Sequence, residues 1–128
     1  MGEVRRWGSG GPWEDAVGYS RVVAAGPFVM TAGCTAVVEG EPAHPGDPYH
    51  QTRTAFGIAL RGLETAGCTI ADVVQTRMYV VHARDCEAVG RAHGDLFRDV
   101  RPATTMVVVQ SLIDTQLLVE VEVVAYRG

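Results

Sequence analysis

Hydrophobic and polar positions along this chain change their spacing several times, and each change marks a new predicted element. Residues 19–26 and 28–33 are apolar runs separated by Gly26-Pro27, a turn signal, so they predict a β-hairpin. Apolar or alternating runs predict three further strands, at residues 73–81, 104–109 and 117–125.

Apolar residues recur every three or four positions in two other stretches, and this spacing predicts helices. The first helix runs over residues 48–66, with Asp47 as its N-cap and Gly67 as its stop signal. The second has Asp85 as its expected N-cap and ends near Arg98. The predicted order is therefore β-β-α-β-α-β-β.

This order predicts an α+β fold in which one mixed sheet carries two helices on one face. The length of 128 residues suits a single domain spanning residues 1–128. Residues 1–12 are rich in Gly and Arg and predict a loose arm ahead of it.

The two faces of the predicted sheet differ in chemistry, because successive strand side chains point to opposite faces. In the central strand, the side predicted to face the helices carries Val74, Thr76, Met78 and Val80. The opposite face is left uncovered and carries Arg77, Tyr79, Glu120 and Glu122. A face that mixes aromatic groups with opposite charges is typical of a subunit interface, so we expect a homo-oligomer.

Composition narrows the possible partners. Apolar residues make up 47% and charged residues 20% of the chain, a globular balance, and the net charge is −4. Nucleic acid is not expected as a partner, because phosphate binding needs clustered Lys and Arg. No apolar run approaches the roughly 20 residues of a membrane span, and the N-terminus has no secretory signal pattern. The chain has 3 cysteines and no metal-ligand spacing, which predicts a cytoplasmic protein without a metal site.

Three motifs together resemble those of the Rid (YjgF-type) family: GYSRVVAAGPFVMTAG, LETAGCTIADVVQTRMYV, and VRPATTMVVV with LLVEVEVVA. The resemblance covers about residues 17–125. It implies a chorismate-mutase-like α+β fold, a homotrimer with the sheets inside, and clefts at the subunit interfaces. It also implies hydrolysis of reactive enamines or imines without a cofactor.

The resemblance also implies site residues. In the family motif, an arginine two residues after the proline binds the substrate carboxylate, and this chain has Thr104 there. Met106 stands where family members have a cysteine, and Gly90 where some have an asparagine. Glu120 matches the family's site glutamate and Tyr19 its site tyrosine. The clamp for the carboxylate is therefore missing, and the cleft is expected to take something other than a simple 2-imino acid.

Glu120 and Tyr19 are the candidate catalytic residues. Enamine hydrolysis needs protonation at carbon and activation of water, and a partly desolvated carboxyl can handle both. The alternative for Glu120 is a salt bridge at an interface, and for Tyr19 it is packing at the trimer seam. The hydroxyl of Thr104 can bind a carbonyl or water, but threonine is also an ordinary strand residue.

Five further residues are candidates for substrate binding: Cys34, Thr35, Arg77, Met106 and His93. Cys34 either lines the cleft, acts as a nucleophile or is inertly buried. Arg77 either replaces the missing arginine or pairs with Glu120 or Glu122. His93 either reaches a neighbour's cleft or serves as a solvated or capping residue.

The sequence thus predicts a trimeric protein that processes an imine, an enamine or a related carbonyl-nitrogen compound. A non-catalytic trimer that binds small molecules is the main alternative, and the missing arginine motivates it. An interaction module acting on RNA or proteins is a third, which the acidic balance disfavours.

Overall fold

A computed structural model describes residues 3–128, in which six strands form one sheet and a short ribbon lies apart from it. The strands are β1 Val4–Trp7, β2 Val22–Ala25, β3 Phe28–Thr31, β4 Val37–Val38, β5 Glu41–Pro42, β6 Val73–Val80, β7 Ala103–Val108 and β8 Val119–Tyr126. The helices are α1 Pro12–Val17, α2 Pro48–Thr65 and α3 Cys86–Phe97. The sheet order is β1-β2-β3-β8-β6-β7, and β4 and β5 form the ribbon.

The sheet is mixed, which confirms the predicted α+β class. β2 and β3 pair as the expected antiparallel hairpin. β8, the last strand, lies in the middle of the sheet, antiparallel to both β3 and β6. β6 and β7 are parallel, and α3 makes the crossover that parallel neighbours require.

Helix α2 follows its sequence signals closely. The Asp47 carboxylate accepts a hydrogen bond from the backbone N–H of His50 at 3.0 Å, and Pro48 occupies the first turn. Gly67, just beyond the helix, has a φ of 88°, a value that favours glycine. The apolar side of α2 enters the core through Phe56 and Leu63, which are fully buried.

The predicted division of β8 into two faces is confirmed. Val119, Val121 and Val123 are fully buried beneath the helices, while Glu120 and Glu122 alternate with them and are only partly buried. Their carboxylates lie on the sheet face that α2 and α3 leave open.

One prediction for β6 is wrong. Val74 was expected among the residues that face the helices, but its side chain is 43% exposed. The pairing of β6 with β8 shifts register between Val73 and Gln75, so Val73 takes the buried position instead. A bulge adds one residue to a strand and thereby reverses the alternation before it.

The start of the chain also differs from the expected loose arm over residues 1–12. Val4–Trp7 pairs along its length with β2, and Pro12 begins α1; Met1 and Gly2 lie outside the described residues. Sequence patterning missed β1 because it is an edge strand in which only Trp7 is partly buried. The second predicted helix is present as α3, but the Asp85 side chain makes no capping hydrogen bond, since a 3₁₀ turn precedes the helix.

Candidate functional site

Glu120 lies at the second position of β8, where the loop after β3 runs alongside this strand. Cys34 in that loop exchanges backbone hydrogen bonds with Val121, at 2.7 and 2.9 Å. This bridge places Gly33 against the Glu120 side chain so closely that a Cβ at position 33 would overlap the carboxylate. The glycine therefore leaves the space that the carboxyl group occupies.

The environment of Glu120 favours its protonated form. Burial raises the pKa of the Glu120 carboxyl above its ordinary value, and the charge of Glu122 raises it further. The guanidinium of Arg21 acts in the opposite direction. Glu120 thus holds a proton more readily than an exposed glutamic acid, which is the direction expected for a general acid.

Arg21, which precedes β2, is the cation of this site. Its Nη1 donates to the Gly33 carbonyl at 2.5 Å and contacts the Cys34 Sγ at 3.6 Å. Its Nη2 donates to the Tyr19 hydroxyl at 3.2 Å. All three acceptors are uncharged groups, so these contacts do not neutralise the positive charge of the half-buried guanidinium in the site.

Tyr19 is held in place by the segment before it. Its backbone N–H donates to the Glu14 carbonyl at 3.0 Å, where α1 ends. The Glu14 carboxylate in turn accepts a hydrogen bond from the Ser9 backbone N–H at 3.0 Å. The Arg21 guanidinium also lies over the Tyr19 ring, 5.5 Å from its centroid. The N-terminal segment thus shapes the site.

Cys34 lines the site without the properties of a nucleophile. The thiol is buried and donates to the Ala32 carbonyl at 3.5 Å. Burial raises the pKa of the Cys34 thiol, and the opposing effect of Arg21 is smaller. A thiol is a weak nucleophile until it loses its proton, so in this environment Cys34 is better suited to line the cavity than to react. Thr35, the next residue, lines the same space.

These residues line one cavity of about 1290 Å³. We give the name Glu120 group to Glu120 and the residues described with it above, all of which line this cavity: Tyr19, Arg21, Gly33, Cys34, Thr35 and Glu120. Beyond them, apolar side chains continue the lining: Trp7, Trp13, Val17, Ile58, Ile113 and Leu117. Of the candidates predicted from sequence, the cavity brings together Glu120, Tyr19, Cys34 and Thr35.

Other candidates lie in a second place, between α3 and the edge strand β7. The Thr76 hydroxyl is 2.8 Å from the Nε2 of His93 and 2.8 Å from the Thr104 hydroxyl. Thr104 also donates to the Pro102 carbonyl at 3.1 Å. Burial lowers the pKa of His93, so this ring is neutral at pH 7. We name Thr76, His93, Thr104 and Met106 the Thr104 group.

The Thr104 group lies apart from the cavity of the Glu120 group: Thr104 itself is exposed, and Thr76 is buried. Met106 extends over α3, and its terminal methyl would lie 3.6 Å from a Cβ placed at Gly90. His93 lines a separate cavity of about 250 Å³ near Arg101. Within one chain, then, Thr104, Met106 and His93 do not share the cavity of the Glu120 group.

Arg77 lies in neither group. Its Nη1 is 3.5 Å from the Glu122 carboxylate, directly across the β6–β8 pair. The Tyr79 hydroxyl donates to the same carboxylate. The structure thus places Arg77 in an ion pair with Glu122 on the open face, which is one of the two predicted alternatives.

Two residues of the site escaped sequence reasoning. Arg21 stands two residues after Tyr19, and side chains two apart in extended chain share a face, which is the signal that was available. Gly33 gave no signal before its contact with Glu120 was known. Among residues 3–128, no set of three or more His, Cys, Asp or Glu side chains is arranged to hold a metal ion. In the same residues, no helix is long and apolar enough to cross a membrane.

Comparisons with known proteins agree with this architecture. The sequence profile of the family described as endoribonuclease L-PSP matches residues 13–127. Uncharacterized protein SCO2049 of Streptomyces coelicolor is 51% identical over 125 residues, which cover 98% of this chain and 93% of that protein. RutC family protein PH0854 of Pyrococcus horikoshii is 30% identical over 111 residues, covering 85% and 86%.

A solved structure also has this fold. Rv2704 of Mycobacterium tuberculosis, described as a member of the YjgF/YER057c/UK114 family, superposes with a TM-score of 0.87 at 42% identity. The match covers 97% of this chain and 99% of that one. The chain therefore belongs to the endoribonuclease L-PSP family, the YjgF/RutC or Rid group that its motifs predicted.

Proposed function

We propose that this protein hydrolyses a reactive imine or enamine, or a related small carbonyl-nitrogen compound, in the cavity of the Glu120 group. The observation that carries the proposal is the half-buried Glu120 carboxyl, whose pKa is raised and which faces a cavity large enough for a substrate. Family membership supports the reaction class, and we infer a cytoplasmic location from the reduced cysteines.

In the proposed reaction, protonated Glu120 donates its proton to the enamine carbon, which gives an iminium ion and the Glu120 carboxylate. The carboxylate then accepts a proton from water as the water oxygen bonds to the iminium carbon, which gives a carbinolamine. Glu120 passes this proton to the nitrogen, the carbon–nitrogen bond breaks with its electron pair leaving in ammonia, and the hydroxyl proton returns to Glu120 as the carbonyl product forms. Tyr19 supplies a hydroxyl that orients the polar head of the substrate. Water is the only co-reactant, so the reaction needs no cofactor.

We further propose that three chains assemble around their open sheet faces, as is typical of the family. Charged and apolar side chains on that face support this: Arg77, Tyr79, Val107 and Glu122. Light scattering is expected to give three times the chain mass of 13.7 kDa; a monomer mass would contradict this assembly.

The identity of residue 104 supports a substrate other than a simple 2-imino acid. A threonine hydroxyl cannot replace the bidentate contact of a guanidinium with a carboxylate. The Thr104 hydroxyl is also already hydrogen-bonded to the Thr76 hydroxyl and the Pro102 carbonyl. Small 2-imino acids such as 2-aminoacrylate are therefore expected to be poor substrates.

The test is a coupled assay in which an amino-acid oxidase generates imines from a panel of amino acids while ammonia release is followed. We expect the protein to accelerate release from bulky imines. Glu120→Gln is expected to lower kcat by about 100-fold or more, the usual contribution of a general acid–base group. Glu64→Gln is the matched control, since it changes an exposed carboxylate on α2, outside the cavity and away from Glu120.

A non-catalytic trimer that binds small molecules is the second candidate, and the threonine at position 104 favours it. It predicts saturable binding in the cavity with no acceleration of any imine. Turnover that disappears in Glu120→Gln while Glu64→Gln keeps it would exclude this second candidate. No acceleration for any imine, with Glu120→Gln indistinguishable from the parent, would exclude the first.

A further inference from the structure

Arg21 combines three properties that single it out among the arginines of the site. Its guanidinium is half-buried, it lines the cavity, and its hydrogen bonds go to the Gly33 carbonyl, the Tyr19 hydroxyl and the Cys34 thiol. None of these groups carries a compensating charge, and within residues 3–128 no carboxylate lies within 4.0 Å of this side chain. A partly desolvated cation is stabilised strongly by an anion placed beside it.

We propose that the cavity binds a carboxylate-bearing compound with a large apolar body, and that Arg21 is the residue that recognises its carboxylate. This deepens the proposed function and rests on it for the reaction, but not for binding. The anion-binding role that the family motif gives to position 104 is thereby assigned to a different element, the start of β2.

Gly33 and Tyr19 prepare Arg21 for this role. The 2.5 Å bond from Nη1 to the Gly33 carbonyl and the 3.2 Å bond from Nη2 to Tyr19 hold the guanidinium plane in one orientation. A planar fork held by its neighbours loses little side-chain entropy when a carboxylate binds. The carbonyl-nitrogen head of the compound would then lie between Arg21 and Glu120.

Two other arginines near the cavity or the open face are poorer candidates. Arg77 already pairs with Glu122 at 3.5 Å and does not line the cavity. Arg61, on α2, reaches the cavity rim but is exposed, so solvent screens its charge.

The rest of the cavity is suited to an apolar body. Trp13 and Val17 of α1 line it although they are 64% and 68% exposed, and Ile113 lines it while 100% exposed. Large apolar side chains in contact with solvent around a cavity mark a ligand site. Tryptophan offers an extensive flat surface against which an aromatic or branched group can pack. A volume of about 1290 Å³ also far exceeds what a small imine fills.

The test measures binding by isothermal titration calorimetry with three stable probes: phenylacetate, phenylacetamide and acetate. The first two have nearly the same shape and differ in charge, while acetate lacks the apolar body. We expect phenylacetate to bind at least tenfold more tightly than either of the others. Equal affinity for phenylacetate and phenylacetamide would overturn the role of charge, and equal affinity for acetate would overturn that of the apolar body.

Variants assign the effect to Arg21. Arg21→Met is expected to weaken phenylacetate binding at least tenfold and to leave phenylacetamide within twofold. Arg61→Met removes the same charge from the exposed rim and is expected to change phenylacetate binding less than twofold. An equal loss in the two variants would show a diffuse charge effect and contradict the proposal.

Two additional variants cover the case in which Arg21→Met does not fold. Arg21→Lys keeps the charge but loses the planar fork, and is expected to weaken phenylacetate binding severalfold. Trp13→Ala changes an exposed residue and is expected to weaken phenylacetate but not acetate. Wild-type affinity in both variants would overturn the proposal.

The outcomes separate this inference from the proposed reaction. Binding of phenylacetate that depends on Arg21, without turnover of any imine, would support the inference and reject the hydrolase. Turnover of the imino acids of the panel that depends on Glu120 but is equal in Arg21→Met and the parent would support the hydrolase and reject the inference.

Discussion

The Glu120 group and the Thr104 group are both built from polar residues at the ends of apolar strands, yet their environments differ. In the Glu120 group, a carboxyl with a raised pKa and a half-buried guanidinium face a cavity of about 1290 Å³. In the Thr104 group, two hydroxyls and a neutral imidazole bond to one another at 2.8 Å beside a cavity of about 250 Å³.

This difference distinguishes polar groups that serve a ligand from those that serve the fold. The polar groups of the Thr104 group form hydrogen bonds with one another, and these bonds fix the position of α3 against β6 and β7. In the Glu120 group, by contrast, neither the Glu120 carboxyl nor the Arg21 guanidinium forms an ion pair within 4.0 Å among residues 3–128. We therefore expect changes in the Glu120 group to affect ligand binding and turnover, and changes in the Thr104 group to affect stability.

The largest effect is expected from Gly33→Ala. The added Cβ would overlap the Glu120 carboxylate, so either this carboxylate or the loop bridged to Val121 must move. A displacement of about 1 Å at a reacting group can cost roughly 100-fold in rate. We expect a loss of that order in kcat for the imine that the parent uses best.

The matched control is Gly57→Ala in α2, where the nearest atom to a new Cβ is the Arg61 Nη1 at 3.6 Å, an ordinary contact. Alanine is also the better helix former, by about 1 kcal/mol. Turnover in this control should be unchanged. Full activity in Gly33→Ala would show that the close approach to Glu120 is not needed.

A moderate effect is expected from Thr76→Val, which keeps the side-chain shape and removes the hydroxyl shared by His93 and Thr104. Loss of a buried hydrogen-bonding partner costs about 1–3 kcal/mol in the free energy of unfolding. Urea denaturation should show this loss, while turnover changes less than threefold. Thr105→Val, at an exposed position of the same sheet, should stay within about 0.5 kcal/mol of the parent.

If Thr76→Val instead abolished turnover at unchanged stability, the two groups would have the opposite roles from those assigned above. Such a result would bring Thr104 back as a residue that contacts substrate.

The smallest effect concerns pH. Because the pKa of Glu120 is raised in the folded state, the folded protein binds more protons than the unfolded chain between the ordinary value of 4.5 and the folded pKa. The contribution of Glu120 to stability therefore falls as pH rises through this window. Glu120→Gln removes this penalty.

Unfolding free energies measured from pH 4 to pH 8 should show Glu120→Gln gaining stability relative to the parent as pH rises. The gain is expected to be small, since Glu120 is only half-buried and solvent screens its charge. A constant difference across this range would contradict a raised pKa.

The fold could be predicted from the sequence wherever local pattern and tertiary structure agree. The β2–β3 hairpin, α2, α3 and the two faces of β8 all follow from spacing, caps and turn residues. β1 and the outward turn of Val74 could not be predicted, because one depends on pairing with β2 and the other on a bulge against β8.

The candidate site was predicted in part for a similar reason. Family motifs carry Tyr19 and Glu120, and the structure brings these together. The places of Arg21 and Gly33 in the site depend on a contact between the end of one loop and a distant strand. Gly33 and Glu120, which meet in this contact, are 87 positions apart along the chain. Such a contact is set by the topology of the whole sheet, which puts β8 beside β3.

A crystal structure of the protein with bound phenylacetate would test whether the Glu120 group, with Arg21 as its cation, forms the ligand site. We expect the carboxylate within hydrogen-bond distance of the Arg21 guanidinium and the phenyl ring against the apolar lining near Trp13. Phenylacetate bound at Thr104 and His93, or paired with Arg77 on the open face, would contradict it.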